Sequence, residues 1–185
     1  YLNTKGPPLN DVRVRRAISM AIDKEAMVKT LYNGKATAFP FLPPGVRYAM
    51  ALEDYPPDVR RFLEYRPEEA KRLLAEAGYS SGLDLVLNVP GYYLAPTSMV
   101  GEVIAEGLHN IGIRVKLNML DRGRWTGTIS ANNWTPGELG IGPRNAFSAE
   151  DPLGFPGFSS TLGGRINRSN INVLEYDRLV SKFMA

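Results

Sequence analysis

The residues able to do chemistry are few. His109 is the only histidine and cysteine is absent, so the chain has no thiol nucleophile, no thiolate metal site and no pair of imidazoles for a metal. A lone imidazole within a helical run reads as a structural or surface group. Adjacent acids occur at Glu53-Asp54, Glu68-Glu69 and Glu150-Asp151, but neighbours in sequence do not by themselves become an acid and a base with separated pKa values. Walker-type, Gly-x-Gly-x-x-Gly and Gly-x-Ser-x-Gly patterns are absent. Gly137, Gly140 and Gly142 lie close together, without the strand-to-helix context of a phosphate cradle. What the chain does offer is a set of aromatics and an arginine: Tyr92, Tyr93, Trp125, Trp134, Arg144 and Phe147. Concave small-molecule sites are lined this way, with a few polar groups to orient the ligand. The chemistry expected is therefore binding without bond-making, with no catalytic residue, cofactor or metal.

These residues must be positioned by the elements around them. Leu83, Leu85, Leu87 and Val89 alternate with other residues, as do Ile113, Val115, Leu117 and Met119, and each run reads as a strand. Between them, Thr97 to Ile111 carries Val100, Val103, Ile104, Leu108 and Ile111 on one helical face, with Gly112 at the stop. Strand, helix and strand with short joints make a βαβ unit, so the strands should be parallel and the crossover right-handed. Ligands in open parallel sheets sit beyond the carboxyl ends of strands. That singles out the loops Gly91-Tyr92-Tyr93 and Asp121 to Trp125.

Upstream, Pro7 to Gly34 is locally over-determined. Asn10 and Asp11 offer caps, Val14, Ala17, Ile18, Ala21 and Ile22 recur at helical spacing, and Asp23 starts a second helix through Met27, Val28 and Leu31 that Gly34 closes. Arg13, Arg15 and Arg16 read as a solvated face with some ion pairs. Phe39 to Gly45 is a stiff proline loop, Tyr48 to Tyr65 is irregular with a helical turn near Val59 to Leu63, and Arg66-Pro67-Glu68-Glu69 opens a helix that buries Ala70, Leu73, Leu74 and Ala77. After Met119, helix is expected around Trp125 and Ile129 and a short strand at Glu138 to Ile141. The stretch Gly142 to Gly164 is a long Gly/Pro/Ser-rich loop. A closing helix, Val173 to Met184, should turn Tyr176, Leu179, Val180 and Phe183 inward.

The chain has 185 residues, 44% hydrophobic and 22% charged, with a formal charge of +3. That is an ordinary globular composition with room for a core, and it argues against nucleic acid as a partner. No apolar run approaches the roughly 20 residues of a membrane-spanning helix. The chain starts at Tyr1 and stops within an amphipathic run, as a piece of a longer protein would.

The run Asp11, Arg13, Val14, Arg15, Ala17, Ala21, Ile22 and Asp23 resembles, in register, the signature of the extracytoplasmic solute-binding proteins of ABC importers, peptide/nickel/opine class (family 5). Leu9 stands for the usual Phe and Lys24 for the usual Arg. The segment Tyr65 to Tyr79 is similar to a second motif of that family, and Tyr176-Asp177-x-Leu179-Val180 to a third. The resemblance implies an α/β fold, a mixed sheet with a parallel βαβ unit and flanking helices, as one lobe of a type II periplasmic-binding-protein fold. Residues 1–185 would be a single domain, part of the second (C-terminal) lobe of a two-lobed protein.

The function implied is capture of a peptide or other small polar solute and its delivery to ABC permease subunits. The protein would work at the periplasmic or outer face of the cytoplasmic membrane, as a monomer at full length. Peptide-binding members hold the ligand's ammonium with an Asp between Gly-Trp and an Asp-Pro or Glu-Pro pair. Here Gly140-Ile141 and Asp151-Pro152 flank Ser148, which implies a ligand without a free ammonium, or anchoring by Glu150 or Asp151. Two other readings stay open: a ligand-sensing domain of a transcription regulator with the same fold, and a small α/β hydrolase, for which no nucleophile and base pair is evident.

Overall fold

The computed structural model describes residues 1–38, 49–92, 96–142 and 167–184. The proline loop at Phe39 to Gly45 and most of the long loop after Gly142 lie outside them. Helix α1, Val12–Met20, begins where the Asp11 carboxylate accepts from the Arg13 backbone N–H at 2.8 Å, and it buries Val14, Ala17, Ile18 and Met20. Helix α2, Lys24–Tyr32, is capped by Asp23 in the same way through Ala26. Its left-handed end is shared: Asn33 takes φ 50° and Gly34 φ 71°. Asparagine tolerates that region because its short amide bonds locally.

The three arginines of α1 act on the scaffold itself. Arg13 pairs with Asp11 and donates to the Glu76 carbonyl, Arg15 donates to the carbonyls of Leu9 and Asn10, and Arg16 lies 4.1 Å from the centroid of the Phe62 ring. A short helix α3, Pro57–Arg60, leads to α4, Pro67–Glu76, which packs on α1 and buries Ala70 and Leu74. Lys24 ties the corner by donating to the carbonyls of Leu63 and Ser19 at 2.9 and 3.2 Å; burial holds its ammonium below the usual lysine range.

The βαβ unit follows as the spacing predicts: β1 is Leu83–Pro90, α5 is Pro96–His109 and β2 is Ile113–Leu120. The strands are parallel and in unbroken register from Leu83 opposite Ile113 to Pro90 opposite Leu120. A two-residue strand, β3 at Leu139–Gly140, joins β1 on its other side, also parallel, giving the order β2-β1-β3, and Leu2 forms an antiparallel bridge to Leu139. This is the mixed α/β architecture of one lobe of a periplasmic-binding-protein fold. Leu85, Leu87 and Val89 meet Ile113, Leu108 and the buried side chains of α1 and α4 in one core. Two inward positions depart from expectation. Met119, at the end of the edge strand β2, is half exposed. In the closing helix α7, Leu174–Met184, Asp177 and Val180 are buried whereas Leu179 is exposed.

Asp11 both caps α1 and pairs with Arg13, and the hydrogen bonds from Arg13 hold its carboxyl below the usual range. A depressed folded-state pKa contributes stability that is complete above the unfolded value of about 4 and is lost as pH falls through the folded value. Replacing Asp11 by Ala should therefore cost about 1 kcal/mol in urea denaturation at pH 7. The gap from the parent should close as the pH is lowered below about 4.

Candidate functional site

The parallel register makes β1 and β2 release their carboxyl-terminal loops side by side, and the ladder runs one step further: the Gly91 N–H donates to the Leu120 carbonyl at 2.9 Å. Tyr92 follows on one strand and helix α6, Arg122–Trp125, on the other. Asp121 starts α6 by accepting from the Arg124 N–H at 2.9 Å, and its second oxygen lies 3.7 Å from the Arg124 guanidinium. The helix then widens into a π turn, Thr126–Ser130. Trp125 and Ile129, at either end of this widened stretch, are both buried. Such turns are rare and concentrate at functional sites.

Leu120, Trp125, Ile129 and Trp134 form a second small apolar cluster, against which Tyr1 and Tyr92 pack. The glycines that suggested a phosphate cradle are what admit the indoles. A Cβ on Gly142 would lie 2.6 Å from the Trp125 ring, and one on Gly140 3.5 Å from the Trp134 ring. Gly137 has a separate reason: its φ is 82° and its Cα faces the Pro7 carbonyl.

Trp134 is held at both ends. Asn3, fully buried, donates to the carbonyls of Trp134 and Thr135 at 2.9 and 3.1 Å, while the Trp134 indole donates to the Arg168 carbonyl at 3.1 Å. Asn170 donates to the Asn3 side-chain oxygen at 3.0 Å, and Asn132 to that of Asn170 at 2.8 Å. On the sheet face shared with Leu120, a polar ladder crosses all three strands. The Asn118 amide donates to Asn88 Oδ1 at 2.7 Å, and Asn88 donates to Glu138 Oε2 at 2.8 Å and the Leu139 carbonyl at 3.1 Å. Asn88 is buried, so these partners meet the desolvation cost an unpaired amide would carry.

Two guanidiniums flank the cluster. Arg122 stacks over Tyr92, 5.1 Å from its ring centroid, and Arg168 over Tyr1 at 5.2 Å while donating to the Tyr1 hydroxyl at 2.8 Å.

Of the residues singled out in the sequence, Tyr92, Trp125 and Trp134 are brought together. Trp125 and Trp134 are 3% and 8% exposed, so they back the wall and the half-buried Tyr92 stands in front. Tyr93, Arg144, Phe147, Ser148, Glu150 and Asp151 lie outside the described residues. Arg122 sits in a loop the strand ends had already marked. Arg168, Asn3 and Asn88 carry no sequence signal, because their partners are far away along the chain. His109 is exposed at the end of α5, and among the described residues no three His, Cys, Asp or Glu side chains converge as a metal site.

Gly142→Ala should displace the Trp125 ring, costing about 1–3 kcal/mol of stability in thermal unfolding. It should also shift the tryptophan emission, since Trp125 and Trp134 are the only tryptophans.

Comparison with known proteins gives this geometry its context. The model of the bacterial extracellular solute-binding proteins, family 5 (middle region), matches residues 1–153. Heme-binding protein A of Haemophilus influenzae is 29% identical over 187 residues, covering 97% of this chain and 32% of that protein. The periplasmic oligopeptide-binding protein of Escherichia coli is 36% identical over 119 residues, 63% of this chain and 21% of that protein. The dipeptide-binding protein of Pseudoalteromonas sp. SM9913, solved in complex with Met-Leu, superposes with a TM-score of 0.76 at 25% identity, over 98% of this chain and 35% of that one. The chain thus spans about a fifth to a third of the length of these relatives.

Proposed function

The chain belongs to family 5 of the bacterial extracellular solute-binding proteins, and we propose that the protein carrying it captures a peptide or other small polar solute and delivers it to an ABC permease. The observation that carries this reading is the family match over residues 1–153, a span that includes both strand-end loops and the aromatic cluster. Relatives are named for binding heme, oligopeptides and, in one solved complex, Met-Leu. What they share is the holding of a small solute, and an aromatic wall at the ends of parallel strands suits that task.

The role is binding and not turnover. The solute is held between this lobe and a second one that closes about a hinge, and the closed form is what the permease takes. The work is done at the periplasmic or outer face of the cytoplasmic membrane by a monomer. No helix among the described residues is long and apolar enough to cross a membrane, so the permease provides the passage.

One wall supplies only part of the affinity. Micromolar binding corresponds to about 8 kcal/mol and millimolar to about 4, so loss of half the contacts removes about three orders of magnitude. Mass spectrometry of the solute retained by the full-length protein after native purification should identify it. Calorimetry with that solute should then show the chain of residues 1–185 binding at least about a hundredfold more weakly than the full-length protein. Equal affinity for the two would overturn the two-lobe account.

A further inference from the structure

Elsewhere on the surface the chain pairs its arginines readily: Arg13 with Asp11, Arg60 and Arg66 with Glu64, and Arg114 with Asp84. At the aromatic cluster it does not. Among the described residues neither Arg122 nor Arg168 has a carboxylate within ion-pair distance, although each is held over a tyrosine that packs on the same small cluster. Arg124, two residues from Arg122, is the one committed to Asp121.

Arg168 adds a second, independent mark. Its Nη1 is engaged by the Tyr1 hydroxyl, but its Nε is buried with no hydrogen-bond partner. A covered donor without an acceptor is unusual in a folded protein, and its cost is relieved when an acceptor arrives. The side-on edge of a guanidinium, formed by Nε and the adjacent amino group, is the edge that takes a carboxylate in a two-pronged bond. Stacking on the tyrosines fixes the plane of each fork and supplies a cation–π attraction in place of a counter-ion.

We propose that Arg122 and Arg168 are the specificity-determining pair of this site and that the solute it takes carries a carboxylate. This rests on the solute-binding reading. The aromatic cluster supplies the apolar wall, Arg122 at the strand-end loop meets the anion on approach, and Arg168, held on the Tyr1 side of the cluster, fixes its orientation.

The test uses the full-length protein with four probes: trialanine, N-acetyltrialanine, trialanine amide and maltotriose. Calorimetry should show the two carboxylate probes binding at least about tenfold more tightly than the amide or the sugar, with an affinity that falls as salt rises. Arg122→Gln and Arg168→Gln should each remove about tenfold or more of that preference, and Arg122→Lys should restore only part of it. Arg122 is exposed, so its Gln variant keeps the test valid if the Arg168 variant loses stability in thermal unfolding.

Binding of the amide or the sugar as tightly as the acids would overturn the pair while leaving the solute-binding reading intact. So would a carboxylate preference that survives Arg122→Gln. Silence from all four probes would count against the solute-binding reading itself, and the pair would fall with it.

Discussion

Parallel pairing of β1 and β2 is the constraint on which the rest depends. Two parallel strands cannot be joined by a tight turn, so the chain must cross back over the sheet through α5. That helix can lie close only because it carries glycines where it touches its neighbours. A Cβ on Gly101 would sit 3.1 Å from Val89, and one on Gly107 2.6 Å from the Ala21 carbonyl. Each glycine costs the helix about 1 kcal/mol relative to alanine. The close approach it permits locks the sheet onto the α1–α2 corner. The signature stretch at the start of the chain is thereby a scaffold, and its arginines, bonded to local carbonyls, to Asp11 and to Phe62, are absorbed by that role.

The same pairing creates the site. Both strands end in register and release Tyr92 and the Asp121–Trp125 loop at one edge, with β3 alongside. Glycines on the β3 side bring the indoles flat onto the backbone, and the Asn118–Asn88–Glu138 ladder stiffens the sheet face next to them. Rigid aromatic area with oriented polar groups beside it is what binding needs; bond-making chemistry would need an activated nucleophile or a separated acid and base. Specificity then falls to the groups the scaffold has not used.

How much of this the sequence reveals follows from range. Asp11 and Asp23 as caps, the Gly112 stop and the two alternating strands are read correctly because each is decided within a few residues. Met119 has inward parity, yet at the end of an edge strand parity does not guarantee cover. In α7 hydropathy expects Leu179 inside and Asp177 outside, and the packing reverses them, because a buried carboxylate among its partners leaves no trace in a hydrophobic pattern. The site divides in the same way. Tyr92, Trp125 and Trp134 could be singled out by type and by their place after strands. The purpose of Gly140 and Gly142, the burial of Asn3 and the placing of Arg168 on Tyr1 depend on contacts across more than a hundred residues or between separate strands, which no local spacing records.

The central claim is that the solute rests at the carboxyl ends of the parallel strands, against the wall built by Tyr92 and the tryptophan cluster. A crystal structure of the full-length protein with its retained solute tests this most directly. The account predicts solute in contact with Tyr92 and within hydrogen-bond reach of Arg122 or Arg168. A solute lodged elsewhere, for instance over the α1–α4 face with these side chains untouched, would contradict it.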